Sequence, residues 1–188
     1  MKMFAVPAIV LATLTALALA AGATAGQVFR ETIHEEGTLV LDEICDVPGL
    51  AVELTFVVDL SVHVVPNGPE GLAYFLQRGT VSEMFTSLAT GKSVTAVSTV
   101  VEKDLRVTDN GDGTLTVLIL ATGNAVLYGD DGKAIARNPG QIRFELLFGD
   151  NGTPDDPFDD VFLADLGLVK GSTGRSDDFC AAAVPALS

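Results

Sequence analysis

Residues 52–64 read VELTFVVDLSVHV, and apolar residues occupy every even position of this stretch. Polar residues occupy the odd positions, with Val57 as the one exception. A period of two places the two sets on opposite faces of a β-strand, whereas a helix would need a period near 3.6. At ~3.3 Å per residue the stretch would be roughly 40 Å long, about twice a common strand. We therefore expect a strand that bends or carries a bulge.

The rest of the chain predicts shorter strands joined by tight turns. Turn-forming Pro, Gly and Asn occur in five short segments, 46–49, 66–69, 90–92, 129–132 and 138–140. Asn110-Gly111 followed by Asp112-Gly113 indicates a hairpin, because these pairs supply the positive φ that such turns need. Gly37 is expected to divide a first extended segment, 28–44. Segment 81–89 fits both helical and strand spacing, and its threonines favour a strand.

Residues 93–108 are expected to be extended, with one apolar and one polar face. Val97, Val101, Leu105 and Val107 would form the apolar face, and Glu102 and Asp104 would lie on the opposite one. In total we count nine or ten strands and no convincing long helix beyond the N-terminal segment. The predicted fold class is therefore all-β, a single antiparallel barrel or, as the alternative, a β-sandwich.

The N-terminus has the pattern of an export signal. Lys2 precedes an apolar run from Phe4 to Ala20, and Ala23-Thr24-Ala25 supplies the small residues that a signal peptidase recognises. The run is only ~17 residues, just under the usual spanning length, which argues against a membrane anchor. We predict a signal peptide at residues 1–25 and a single secreted, extracellular domain at residues 26–188. No membrane anchor is expected in that mature form.

The charge of the mature chain excludes some classes of partner. Without Lys2, ten basic residues face 25 acidic residues, and 10 − 25 gives a net charge of −15. A surface this acidic repels phosphate backbones and anionic lipids, so we expect no nucleic-acid partner. No cofactor-binding motif is present either.

The two cysteines, Cys45 and Cys180, are predicted to form a disulfide. An exported chain with an even number of cysteines usually pairs them. A redox site or metal ligation are the alternatives. Both are disfavoured, because the chain has no Cys-x-x-Cys motif and only two histidines.

Catalytic motifs are absent from the sequence, and the weak candidates lie on the polar face of the long strand. They are His63, Asp59 and Glu53. If that face lined a cavity, these groups could act as an acid–base set. If it faced water, His63 would be an ordinary solvated residue.

Three acidic loops are weak candidates for calcium binding. The densest contains Asp155, Asp156, Asp159 and Asp160, and the others lie at 109–112 and 130–131. None of them has the ligand register of an EF-hand loop, so a solvated turn is the competing interpretation and no metal site is predicted.

The layout resembles small secreted all-β proteins without assigned activity from GC-rich, actinobacterial-type Gram-positive bacteria. The shared features are the early Cys45, the late Cys180, the segment Ala89-Thr90-Gly91-Lys92-Ser93 and a hairpin at Asp112-Gly113-Thr114. The resemblance implies a secreted β-domain and no catalytic residues. The architecture also looks like lipocalin and allene oxide cyclase barrels, although no motif of either is present.

Three functions follow as hypotheses. The first is a non-enzymatic secreted protein that binds a small apolar ligand or a partner surface, since barrels often enclose a cavity. The second is an extracellular isomerase or hydrolase that uses carboxylates with His63. The third is a structural or adhesive cell-surface domain. The missing catalytic motifs favour the non-enzymatic hypotheses and do not exclude the enzyme.

Overall fold

The alternating stretch at 52–64 forms most of one long strand, as predicted. The computed structural model describes residues 29–188, so the predicted signal peptide at 1–25 lies outside the described residues. In the described part of the chain there are seven strands and one helix. They are β1 (Phe29–Leu41), β2 (Val52–Asn67), β3 (Leu72–Ser87), β4 (Ser93–Asp109), β5 (Thr114–Tyr128), β6 (Ala134–Gly149), β7 (Val161–Lys170) and α1 (Phe179–Leu187).

The strands form one antiparallel sheet in which each strand pairs with its neighbours in the chain, in the order β1-β2-β3-β4-β5-β6-β7. The all-β prediction is confirmed. The even residues of β2 face inward, and Val52, Leu54, Val58, Leu60, Val62 and Val64 are each at most 7% exposed. The β4–β5 hairpin occurs at the predicted Asn-Gly and Asp-Gly pairs, with Gly111 and Gly113 at positive φ.

The predicted barrel closure is wrong for the described residues, because β1 and β7 are the two edges of the sheet and do not pair. The predicted alternative, a sandwich, is wrong as well, since residues 29–188 form one sheet and not two. The sheet nevertheless curls strongly. The ring of Phe29 on β1 packs edge-on against Phe158 in the β6–β7 loop, with 4.7 Å between ring centroids. This loop lies at the gap that β1 and β7 leave between them.

Fewer and longer strands form than the turn signals predicted. Gly37 lies within β1, where the ring of Phe56 covers it, and a Cβ at Gly37 would lie 2.8 Å from that ring. Residues 81–87 continue β3. Asn138-Pro139-Gly140 lies inside β6 and not in a turn. β7 pairs with β6 only along residues 143–149, so Pro139 occupies an edge position, where a missing N–H breaks no ladder.

The curvature depends on glycines on the concave face. A Cβ at Gly79 would lie 1.9 Å from the carbonyl oxygen of Asp59, and one at Gly123 would lie 2.0 Å from that of Thr99. Such approaches are impossible for any other residue without backbone movement. Neighbouring strands can therefore bend toward each other at these two positions.

Helix α1, which the sequence analysis did not predict, fills one end of the concave face. Ala183 and Leu187 are completely buried there, in a cluster that includes Val52, Leu54 and Phe85. Asp178 caps the helix by accepting a hydrogen bond from the backbone N–H of Ala181 at 2.9 Å. At the other end of the helix, Thr90 Oγ1 donates to the carbonyl of Leu187 at 2.7 Å.

The predicted disulfide joins this helix to the β1–β2 connection. Cys45 and Cys180 are bonded, with their Cα atoms 5.5 Å apart across a sequence separation of 135 residues. The bridge therefore ties the first part of the sheet to the last element of the chain. No helix in the described part of the chain combines the length and the apolar character needed to cross a lipid bilayer.

Candidate functional site

The concave side of the sheet lines a partly open cavity of about 460 Å³. Strands β1 to β6 and the β6–β7 loop all contribute to its wall. The apolar lining residues are Phe29, Ile33, Val58, Leu60, Val62, Ala73, Phe75, Val107, Leu115, Val117, Ile119, Phe148, Pro154, Pro157 and Phe158. Cavities of this size hold small organic molecules, and most such sites are lined by apolar and aromatic groups.

The inward face of β2 supplies the apolar floor of the cavity. Leu60 and Val62 are 5% and 4% exposed, and Val117 on β5 is 7% exposed. Strand alternation places these side chains inward, and the curl of the sheet brings β5 toward β1 and β2. The loop residues Pro154, Pro157 and Phe158 line the wall on the side where the sheet is open.

Several polar side chains interrupt this apolar wall. One of them is Gln77, which is only 8% exposed. The amide Nε2 of Gln77 donates a short hydrogen bond to Glu102 Oε2. Its carbonyl Oε1 is buried and has no hydrogen-bond partner. A buried acceptor without a donor is costly, by about 1–3 kcal/mol, and is rare in folded proteins. Gln77 therefore places a buried acceptor without a partner in the wall of the cavity.

Two aspartates of the cavity wall have perturbed acidity. Burial raises the pKa of Asp104 to about 6, although the carboxylate accepts a hydrogen bond from the backbone N–H of Phe75 at 2.7 Å. Burial and the nearby carboxylates of Asp159, Asp150, Asp156 and Asp104 raise the pKa of Asp160 to about 7. Asp160 Oδ1 is also buried without a partner.

The charge around the cavity is almost entirely negative. Glu31, Glu35 and Glu102 line it together with Asp104 and Asp160. The basic residue in the lining, Lys103, lies between the inward residues Glu102 and Asp104 on β4, and it is exposed to solvent. The potential inside the cavity is thus negative, and the low-dielectric walls strengthen it.

Glu102 and Asp104 lie on the same face of β4 as Val107, whereas strict alternation predicted that they lie on the opposite face. A β-bulge between Asp104 and Arg106 shifts the register, so Val107 faces inward together with the residues before the bulge. Strict alternation through residue 108 cannot describe such a strand. The glutamates of β1 and the isolated Gln77 gave no signal, since polar residues in a strand are ordinarily assigned to solvent.

The structure places the three weak catalytic candidates away from the cavity. His63, Asp59 and Glu53 lie on the opposite, outward face of β2, where Asp59 and Glu53 are exposed. Asp59 Oδ1 contacts His34 Nδ1 at 2.7 Å, and this hydrogen bond raises the pKa of His34. His63 contacts Ser61 at 3.4 Å and neither of the other candidates. This placement gives no support to an acid–base site built on His63.

Two carboxylates of the densest acidic loop accept hydrogen bonds from within that loop. Asp156 accepts from the backbone N–H of Phe158 at 3.0 Å, and Asp159 accepts from Thr153 Oγ1 at 2.6 Å. Asp155 is exposed, whereas Asp160 lines the cavity. Between residues 29 and 188, no three Asp, Glu, His or Cys side chains are grouped to hold a metal ion.

Comparison with known proteins adds no relative, since no family model, no curated protein and no solved structure matches this chain.

Proposed function

We propose that this protein is a secreted, non-enzymatic binding protein that holds a small, mainly apolar ligand on the concave side of its curled sheet. The observation that supports the proposal most is the cavity of about 460 Å³ in the sheet's interior. A sheet that served only as a structural domain would be expected to fill this space with side chains, since protein interiors are close-packed. The disulfide supports a location outside the reducing cytoplasm.

The interior of the sheet has a densely packed end and an end that contains the cavity. The helix α1 and its disulfide close one end with a dense cluster in which Leu54, Val94 and Leu187 are at most 2% exposed. Beyond that cluster, the inward side chains of β2 and β5 face each other across the unfilled volume. The packed end thus stabilises the sheet, and the end with the cavity is available to a ligand.

The proposal is tested by titrating the protein with Nile red, a neutral dye whose fluorescence rises in apolar surroundings. Val117→Phe places four more carbon atoms in the cavity, and Val62→Phe does so from the opposite wall. The matched control is Val40→Phe on the outward face of β1, where Val40 is 55% exposed. We expect saturable binding by the parent and the control protein, and weakened binding by both cavity variants. Equal binding by all four folded proteins would contradict the proposal.

A second candidate function, contact between two copies of the chain, is favoured by strand β7. Its outer edge is unpaired in the described residues, and Phe162, Leu166 and Val169 are 57%, 51% and 56% exposed. Free sheet edges pair readily with other strands, and apolar patches mark contact surfaces. β7 has one acidic and one basic residue, Asp165 and Lys170, so two acidic molecules could meet there with little repulsion.

Light scattering after size-exclusion chromatography tests this second candidate. We expect a dimer for the parent protein and a monomer for the variant Leu166→Ser/Val169→Ser, which keeps the backbone and removes apolar surface. A parent protein that stays monomeric at the highest accessible concentration would rule out the candidate. A dimer that persists in the variant would rule out β7 as its contact surface.

A further inference from the structure

We infer that the ligand of the cavity is an organic cation, an apolar molecule with an ammonium head group, which the acceptors of Gln77, Asp104 and Asp160 receive. This inference rests on the proposed binding function and specifies the chemistry of the ligand.

The hydrogen-bonding capacity of the cavity wall is the first argument. Gln77 Oε1 and Asp160 Oδ1 are buried acceptors without donors. One N–H of Gln77 already donates to Glu102, and the carbonyl oxygen is the buried atom of this amide that lacks a partner. Satisfying both atoms takes a ligand with hydrogen-bond donors, and a primary ammonium group has three of them. A carboxylate or an ether offers none.

The charge of the wall is the second argument. Five acidic side chains line the cavity, Glu31, Glu35, Glu102, Asp104 and Asp160. The nearby groups that perturb Asp160 are acidic as well, namely Asp150, Asp156 and Asp159. Lys103 also belongs to the lining, but it is exposed to solvent and is one cation against five carboxylates, so the wall stays net negative. An anionic ligand would be repelled here, whereas a cation would relieve the repulsion among the carboxylates.

The apolar wall is the third argument, because it indicates that the part of the ligand beyond the ammonium group is apolar. Val58, Leu60, Val62 and Val117 present branched hydrocarbon to the cavity and offer no polar group. A small inorganic cation would leave this surface without a partner. An ammonium group attached to an alkyl or ring body would fill both parts of the site.

The ionisation of Asp104 and Asp160 predicts that the affinity for an organic cation falls as the pH is lowered. The pKa values of about 6 for Asp104 and about 7 for Asp160 mean that both groups are protonated at pH 5 and ionised at pH 8. A ligand that needs them ionised must displace those protons at pH 5. The cost is about tenfold in affinity for a group titrating near 6 and about a hundredfold for one near 7. An aliphatic amine stays charged throughout, with its own pKa at roughly 10.

Three probes with the same eight-carbon chain test the inference by isothermal titration calorimetry: octylamine, octan-1-ol and octanoate. At pH 8 we expect octylamine to bind at least tenfold more tightly than octan-1-ol, with octanoate weakest. Octylamine should lose at least tenfold in affinity between pH 8 and pH 5, and octan-1-ol should not. The variant Asp104→Asn/Asp160→Asn should lose the preference for the amine and keep its affinity for the alcohol.

A matched variant controls for the general charge of the protein. Glu36→Gln/Glu53→Gln also removes two carboxylates, and both lie exposed on the outward face. We expect less than a twofold change in octylamine affinity. If octylamine binds no more tightly than octan-1-ol, or if this outward variant weakens it as much as the inward one, the cation inference fails while the binding proposal stands. If neither Nile red nor any of the three probes binds, the binding proposal itself fails.

Discussion

At the scale of single residues, the shape of the concave face depends on glycines as well as on the larger side chains that line it. Gly79 and Gly123 lie where the backbone of a neighbouring strand comes within 2.0 Å of a Cβ position. Gly37 serves a related purpose, since the ring of Phe56 fills the space above it. A glycine within a strand ordinarily weakens the strand, and here it permits the bend that creates the cavity.

The first prediction concerns Gly79. We expect Gly79→Ala to lower the free energy of unfolding by about 2 kcal/mol or more, because the new methyl group overlaps the carbonyl oxygen of Asp59 and the backbone must move. Urea denaturation followed by circular dichroism measures the change. Gly171→Ala is the matched control, since a Cβ at Gly171 meets nothing within 4 Å. Equal stability of the two variants would show that the close approach at Gly79 does not exist.

Asp104 leads to the second prediction, on pH. Its folded-state pKa of about 6 exceeds the ordinary value of 3.8, so the folded protein binds the proton more tightly than the unfolded chain. The stability that this proton contributes is fully present below pH ~4 and is lost as the pH rises through about 6. Asp104→Asn should therefore raise the free energy of unfolding by about 1–3 kcal/mol at pH 8, with almost no difference at pH 3.5.

Chemical denaturation of this variant at the two pH values provides the measurement. Asparagine keeps the acceptor oxygen for the backbone N–H of Phe75, so the hydrogen bond is not the variable. Glu53→Gln, on the outward face, should change stability little at either pH. A destabilised Asp104→Asn protein at pH 8 would mean that the carboxylate is not held in an unfavourable, buried position.

At the scale of elements, the packed end of the molecule depends on the short helix α1. Leu187 is completely buried in a cluster with residues of five strands, β2 to β6, while Leu88 is 56% exposed in the β3–β4 turn. We expect Leu187→Ala to cost about 2–5 kcal/mol and Leu88→Ala to cost less than about 0.5 kcal/mol. Thermal and urea unfolding with the disulfide intact measures both. Similar small losses would show that α1 is not part of the core.

The long strand β2 and its division into an apolar and a polar face could be predicted from alternation alone, and so could the β4–β5 hairpin and the disulfide. Which of the two faces points inward could not be predicted. The helix could not, because nine residues with Pro185 among them resemble an apolar tail more than a helix. The strand β6 could not either, because Asn138-Pro139-Gly140 has the local chemistry of a turn and only the open sheet edge makes it acceptable as a strand. Local preference decides an element only where long-range pairing does not oppose it.

The candidate site was less predictable than the fold. Its apolar half follows from the even positions of β2, but its polar half depends on the bulge after Asp104 and on the inward face of β1. Neither feature has a distinctive sequence pattern, since a bulge changes the facing of a strand without changing its composition. The alternating pattern of β2 made Asp59 and His63 the predicted candidates, and these residues lie on the outward face. The functional carboxylates proposed here lie on the other one.

At the scale of the whole molecule, an open, strongly curled sheet lines a partly open cavity without closing into a barrel. The curl brings the β6–β7 loop to β1, where Phe158 packs against Phe29, although β1 and β7 do not pair. The most direct test is a methyl NMR titration with the neutral probe octan-1-ol. We predict that the methyl resonances of Val58, Leu60, Val62 and Val117 shift saturably, while those of the outward Val40 and Leu88 do not. Shifts confined to Leu163, Leu166 and Val169 on β7 would contradict an internal binding site.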